Sequence, residues 1–438
     1  MRRGGISPVF VFIIFAGAGL WAQPQAAAQP GITLDMALKM AQANSVQFRV
    51  AQADAALAKE DRVQARSTLL PGITYNNQFL YTEGDRTGSG RFIANNGVHE
   101  YVSQGNAHEV LSLQQVADYR KAGAVAALAR ARAEVARRGL VVTVVEDYYA
   151  VLGAERKQAN AQTAADEAAK FLSLTEKLER GGEVAHADVL KAQLQANDRK
   201  RGLDDSAVEL MNSRLELAVL ILPDMTGQFL SGRFKVADDL DERPALAPLA
   251  EVRDAAAKQN PELRAALAAV NASEDEVTSA RAGHLPSLAL DYYYGIDANH
   301  FATHTDGVHN LGYAAVATLN IPVFSWGAIE SKVRQSLIRK DQAKLELTVA
   351  QKQVLANLER FYGEAEVAAS ALTTLQESVA IAGESLRLTG LRYQAGESTV
   401  LEVVDAQNTM NTARNAYVDG SLRYRMALAN LQTLTGTL

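Results

Sequence analysis

Glu402 and Asp405 stand three residues apart in a segment with helical patterning, which places both carboxylates on one face, one turn from each other. Such a pair carries no reaction by itself. Repeated around a symmetry axis, it forms an acidic ring that favours cations and disfavours anions at a constriction. Glu402 also has a structural use, because Thr399-x-x-Glu402 spells a capping box and acids suit a helix N-terminus. Asp405 has less of that use. Asp188 is the counterpart of Glu402 half a chain earlier and is the weaker candidate. Arg392 and Tyr393, just upstream, are candidates to pin neighbouring helices together at the same place.

Other chemistry is thin. His300, His304 and His309, with His99 and His108, raise the question of a metal site. They sit in Gly/Asn/Thr-rich stretches without HxxxH-type spacing on a rigid element, so solvated histidines are the expectation and no metal is assigned. The chain has no cysteine, which excludes disulfides, thiol catalysis and Cys-ligated metals. Walker A, GxGxxG, GxSxG and HExxH patterns are all missing, so no enzyme and no cofactor is expected. A net charge of −6 argues against a nucleic-acid partner.

The elements that must position these residues come in duplicate. Ala65-Arg66 before Leu70-Pro71 recurs as Ala280-Arg281 before Leu285-Pro286. Gly182-Glu183, Asp188 and Ala192-Gln193 recur as Gly396-Glu397, Glu402 and Ala406-Gln407. A repeat of half the chain is a duplicated structural unit. Residues 1–28 read as a secretory signal, with Arg2-Arg3 ahead of an apolar run and small residues at a cleavage site. Residues 29–222 form the first repeat, 223–248 a linker at the equator, and 249–438 the second repeat.

Proline marks the boundaries, because it breaks helix interiors. None falls between Pro71 and Pro223, and none follows Pro322. These gaps hold helices expected at about 118–180 and 325–393, each roughly 90–100 Å long at 1.5 Å per residue. Shorter helices at about 34–68 with 189–222, and 249–282 with 399–434, laid end to end, match each long one. Asn260-Pro261 reads as an N-cap with proline in the first turn, or as a kink. Rods of this length need other long helices to pack against, which gives a coiled-coil-like wall.

Strands are expected within about 70–116 and 285–323. Ile73, Tyr75, Asn77, Phe79 and Tyr81 alternate with Thr74, Asn76, Gln78 and Leu80. Leu288, Leu290, Tyr292, Tyr294 and Ile296 alternate with more polar neighbours, as do Leu311, Tyr313, Ala315, Ala317, Leu319 and Ile321. A weaker strand runs through Tyr101–Leu113, with Tyr101, Leu111 and Leu113 on one side and Gln104, Asn106 and His108 on the other. Runs of about ten residues cross a bilayer when tilted, and tyrosines near their ends suit its interfaces. In lipid the sheet must close, and four strands cannot. Two chains would give about eight strands and three about twelve; a duct favours three, while the residues themselves require only that the chain is not a monomer. Polar loops at Glu83–Val98 and Asp297–His309 would lie outside the membrane.

At the far end, Arg180-Gly181-Gly182-Glu183 and Gln394-Ala395-Gly396-Glu397 join each long helix to a shorter one. Glycine there permits the left-handed turn that a sharp reversal needs. These turns are connectors, and also the surface a partner would meet end-on.

The chain resembles the TolC-like outer-membrane efflux proteins over essentially its whole mature length. The resemblance rests on the duplication, on Ala65-Arg66-x-x-x-Leu70-Pro71, on Leu319-x-Ile321-Pro322-Val323-Phe324, and on Tyr393-x-x-Gly396 followed by Val403-Val404-Asp405-Ala406-Gln407. It implies a homotrimer in the outer membrane, with a shared β-barrel of about twelve strands continuous with a periplasmic α-helical barrel. It further implies a non-enzymatic exit duct for efflux pumps or type I secretion. An inner-membrane transporter would supply the energy and a periplasmic adaptor would join the two. By the same resemblance, the Gly turns form the adaptor-docking tip and acids near Glu402 line the closed periplasmic entrance. The first half departs from the pattern: Gln114-Gln115-Val116 replaces the Pro-hydrophobic-Phe junction, and Lys191 stands where the second half has Asp405. The rival reading is a periplasmic coiled-coil adaptor or scaffold, which would share the long helices but not two bilayer-length strand pairs.

Overall fold

The computed structural model describes residues 31–81, 99–223, 234–299, 301–305 and 307–437. The signal-like segment, the loop expected at Glu83–Val98 and His300 lie outside the described residues. The first repeat runs α1 (Leu34–Asn44), α2 (Val46–Ser67), β1 (Gly72–Tyr81), β2 (His99–Ser112), α3 (Leu113–Arg180) and α4 (His186–Ile221). The second runs α5 (Leu249–Gln259), α6 (Pro261–Ala282), β3 (Ser287–Ala298), β4 (His304–Thr305), β5 (Val308–His309), β6 (Leu311–Asn320), α7 (Ala328–Gln394) and α8 (Val400–Thr435).

The two rods have 68 and 67 residues. Each is flanked by a short-helix pair, as their lengths require: α2 and α4 lie against α3, and α6 and α8 against α7. The halves join because α6 and α8 also lie against α3. No helix among the described residues is long and apolar enough to cross a membrane.

Three boundaries differ from expectation, each for a local reason. The first short helix breaks at Ser45, whose hydroxyl accepts from the Phe48 amide at 3.3 Å and so begins a second helix. Asn260 ends α5 and caps α6 as its pairing with Pro261 leads one to expect, its Oδ1 accepting from the Leu263 amide at 3.0 Å with Pro261 in the first turn. In the first repeat the strand stops at Ser112, not near 116. Ser112 is extended and its Oγ accepts from the Gln115 amide at 3.1 Å, so α3 starts at Leu113, which opens the helix rather than ending the strand. In the second repeat Pro322 holds the chain extended. Trp326 (φ 52°) and Gly327 (φ 78°) then turn it, delaying α7 to Ala328. The polar loop expected at Asp297–His309 is partly ordered, since β3 extends to Ala298 and β4 pairs with β5.

Asn260→Ala tests one of these boundaries. The variant loses the cap and the bond from Asn260 Nδ2 to the Leu434 carbonyl (3.2 Å), which together cost about 2 kcal/mol. Its denaturant midpoint is expected to fall, with the slope unchanged.

β1, β2, β3 and β6 form an antiparallel sheet in that order. The register aligns Tyr75 with Gly105, Gly105 with Tyr294 and Tyr294 with Tyr313. One face is therefore apolar and tyrosine-rich. The other carries Asn76, Gln104, Asn106, His108, Asp291 and Thr318.

A buried apolar core lies midway along α3. Val141, Val144, Tyr148 and Val151 of α3 meet Leu217 and Ile221 of α4, Ala37 and Ala41 of α1, and Phe234 and Val236 of the equatorial segment. Ile32 bridges to Val236, and the buried Tyr148 hydroxyl donates to the Ile32 carbonyl at 2.9 Å. Burial pushes that phenol well above its ordinary pKa, so it remains a donor throughout the physiological range. Arg156 holds Asp239 at 2.6 Å, and Tyr417 donates to Asp241 at 3.2 Å. The equatorial segment is thereby fastened to both α3 and α8.

Candidate functional site at the tip of the helices

The reversals α3–α4 and α7–α8 share one geometry. Gly182 and Gly396 adopt φ of 79° and 77°. The Glu183 amide donates to the Leu178 carbonyl at 2.9 Å, and the Glu397 amide to the Arg392 carbonyl at 2.8 Å. Both are helix-ending motifs with glycine in the left-handed position. A Cβ on either glycine would meet nothing within 4 Å, so conformation alone demands glycine there. Gly181 is right-handed at φ −77° and is not needed for the turn. Arg180 to Glu183 and Gln394 to Glu397 are all exposed.

Gly182→Ala is expected to cost about 1 kcal/mol by placing a side chain in the left-handed region. Tryptic cleavage after Arg180 should then accelerate about fivefold in the folded protein.

Glu402 forms the capping box. Its amide donates to Thr399 Oγ1 at 3.3 Å, and its carboxylate accepts from Ser398 Oγ at 2.8 Å and Thr399 Oγ1 at 3.3 Å. The Ser398 hydroxyl holds this carboxyl below the usual glutamate range; desolvation opposes it, and the Thr399 contacts and nearby Arg392 lower it further. Arg392 donates to the Glu397 carbonyl at 3.0 Å and stands 3.9 Å from Glu402 Oε2. Asp405 is exposed and has no hydrogen-bond or ion-pair partner among the described residues. In the first repeat, Asp188 is paired with Lys191 at 3.2 Å, so its charge is partly offset within its own helix.

Tyr393 points elsewhere. It is 4% exposed, its ring lies 5.0 Å from Phe171, and its hydroxyl donates to Thr175 Oγ1 at 3.3 Å. It pins α7 to α3 inside one chain. Sequence reading missed Phe171 and Thr175; only their spacing of four on one helix face could have flagged them. The positions equivalent to Tyr393 and Val400 in the first repeat are Glu179 and His186, an exposed pair 2.6 Å apart. Asn408 further links α8 to α4, accepting from Gln195 at 3.0 Å and from Arg199.

Among the described residues no three histidines converge. His108 pairs with Asp291 at 2.8 Å on the polar sheet face, and His304 faces His309 in the β4–β5 hairpin with their Nε2 atoms 3.3 Å apart. No group of three potential metal ligands occurs among the described residues.

The family model described as "Outer membrane efflux protein" matches residues 37–221 and 252–437, one segment in each repeat. The outer membrane protein TolC of Escherichia coli is 22% identical over 414 residues, covering 91% of this chain and 81% of TolC. The alkaline protease secretion protein AprF of Pseudomonas aeruginosa is 26% identical over 416 residues, covering 90% and 82%. Among solved structures, the Campylobacter jejuni CmeC outer membrane channel superposes with a TM-score of 0.81 at 16% identity, covering 92% of this chain and 85% of that one. The fold is that of TolC-like channels, and the relatives make this an outer-membrane exit duct with its helical body in the periplasm rather than a free periplasmic adaptor. With both of its repeats matched, the chain belongs to the outer membrane efflux protein family.

Proposed function

We propose that three copies of this duct close one barrel, with β6 of each chain pairing with β1 of the next to give about twelve strands. The observation that carries this is the sheet itself: four strands, one apolar and one polar face, and too few strands to close alone. The polar face then lines a water-filled lumen and the apolar face meets outer-membrane lipid. The chain performs no chemistry of its own; cargo moves outward as an inner-membrane transporter drives it. The six Gly turns of the trimer dock a periplasmic adaptor through Arg180, Gly181, Gly182, Glu183, Gln394, Gly396 and Glu397. That role is supported by their exposure and by their shared geometry. Glu402 and Asp405, with Asp188 as a lesser member, form the acidic periplasmic gate. Arg392 braces that gate and Tyr393 fixes the helix behind it. AprF is an alkaline protease secretion protein, which supports type I secretion as one use of such a duct beside efflux.

The cysteine-free chain permits a clean test. A crosslinker placed on Glu183→Cys should capture an adaptor and, through it, a transporter. The protein should run as a heat-modifiable oligomer from outer-membrane extracts. Capture of neither partner would reject the docking assignment, and a soluble periplasmic protein would reject the barrel.

A further inference from the structure

Glu109 is the one Asp, Glu, Lys or Arg on the apolar face of the sheet among the described strand residues. The register aligns it with Leu290, and Leu290 with Ala317, in a row otherwise made of Ala107, Leu111, Leu288, Tyr292 and Ala315. Both of its carboxylate oxygens are cut off from water and have no hydrogen-bond partner. An ionisable group facing lipid is expensive, and such groups mark functional positions with a partner to be identified. The apolar surface continues past Glu109 towards the periplasmic rim through the exposed Leu111, Leu113 and Leu319, so this acid lies inside the band and not at its edge.

Two depressions meet at this side chain. One, about 290 Å³, is floored by Ala107, Ala315 and Ala317 and walled by Leu290 and Tyr292. The other, about 370 Å³, runs from Glu109 to Leu69, Leu113 and Pro286 at the strand–helix junction. Glu109 lines both. Three residues separate Glu109 from the end of β2, a rise of about 10 Å along the strand. That depth is within reach of the headgroup region of the inner leaflet.

We propose that this track is a binding site for an amine-bearing phospholipid. The ammonium group pairs with the Glu109 carboxylate and one acyl chain lies in the alanine-floored groove. Charge complementarity selects the head: a cationic group satisfies both orphaned oxygens, whereas an anionic headgroup is repelled. The small residues select the chain, because they leave a furrow as apolar as the lipid that fills it. The inference rests on the apolar sheet face meeting lipid, as proposed above.

Native mass spectrometry of the purified full-length oligomer tests the site, using phosphatidylethanolamine and, as control, phosphatidylglycerol with the same acyl chains. Glu109→Gln should retain about tenfold less phosphatidylethanolamine, the loss expected when one charge-assisted bond is removed. Phosphatidylglycerol retention should be low and unchanged. Ala315→Leu fills the groove without touching the charge, should lower phosphatidylethanolamine retention too, and carries the test if the Gln variant fails to assemble. Equal phosphatidylethanolamine retention by a variant that still runs as a heat-modifiable oligomer would overturn the lipid site alone, as would equal retention of both lipids by the native protein. Absence of the oligomer from native outer membranes would instead overturn the barrel on which the site rests.

Discussion

Gly295→Val is expected to reduce the heat-modifiable oligomer in outer-membrane extracts by about fivefold or more, a loss of about 1–3 kcal/mol expressed in assembly. Gly295 sits in β3 opposite Gln104 of β2 and Gly312 of β6. A Cβ built on it would fall inside the Ser103 carbonyl oxygen and 2.5 Å from Gln104 Cα. Those are backbone atoms of the neighbouring strand, so no rotamer change relieves the contact. The ladder must shift near its Tyr101–Ala298 end, and β2–β3 is the seam that joins the two repeats within the sheet. Gly312→Val is the matched control. A Cβ at Gly312 meets nothing within 4 Å, so that variant should assemble nearly normally. Equal yields from both variants would refute the argument. Quantitative immunoblotting of unheated samples reads the difference directly.

The second large effect concerns the acids at the tip. Glu402→Ala with Asp405→Ala should relieve block by divalent or multivalent cations in single-channel recordings by about tenfold or more, because the proposed gate would lose its ring of carboxylates. Asp405→Ala alone should account for much of this. Glu402 is engaged by Ser398, Thr399 and Arg392, whereas Asp405 has no partner among the described residues. Asp188→Ala should do little, because Lys191 stands 3.2 Å from it. The pH dependence has a definite sign. The Ser398 hydroxyl holds Glu402 below the usual glutamate range, so its negative charge persists as pH falls through that range and is lost only below it. The capping contribution follows the same course: present above the ordinary carboxyl pKa, lost as pH falls through the depressed one. Ser398→Ala should therefore shift the acid limb of cation block upward. An unchanged limb would detach Glu402 from the gate.

The general architecture was legible because its signals are long. Two proline-free gaps stand over the observed rods, and period-two alternation stands over the strands of the sheet. Where a single side chain decides, the reading slipped. Ser45 and Ser112 set helix starts by one hydroxyl each, and serine is too common for its type to announce a cap. The tip glycines were legible as turns, but only Gly182 and Gly396 carry the left-handed φ, so Gly181 was over-read. Arg392 and Tyr393 are adjacent in sequence and point to different neighbours: one braces the Glu397–Glu402 loop end, the other enters the Phe171–Thr175 pocket. Neighbouring letters on a helix diverge by about 100°, so a shared role could not be inferred from adjacency. Glu109 passed unnoticed for a related reason. Alternation in β2 is weak, and only the register with β3 reveals which face the acid occupies.

The Tyr393–Phe171 contact has a kinematic consequence. The proposed trimer would contain six helix-pair staves, and within each chain a dry aromatic contact and a buried hydroxyl lock one stave to the next. At the equivalent positions of the other stave stand Glu179 and His186, a wet and exposed pair. In that trimer six staves would reduce to three rigid leaves, fastened at the equator and parting along three polar seams. The aperture such a tip would open is triangular, and its number of independent moving parts would equal the number of chains.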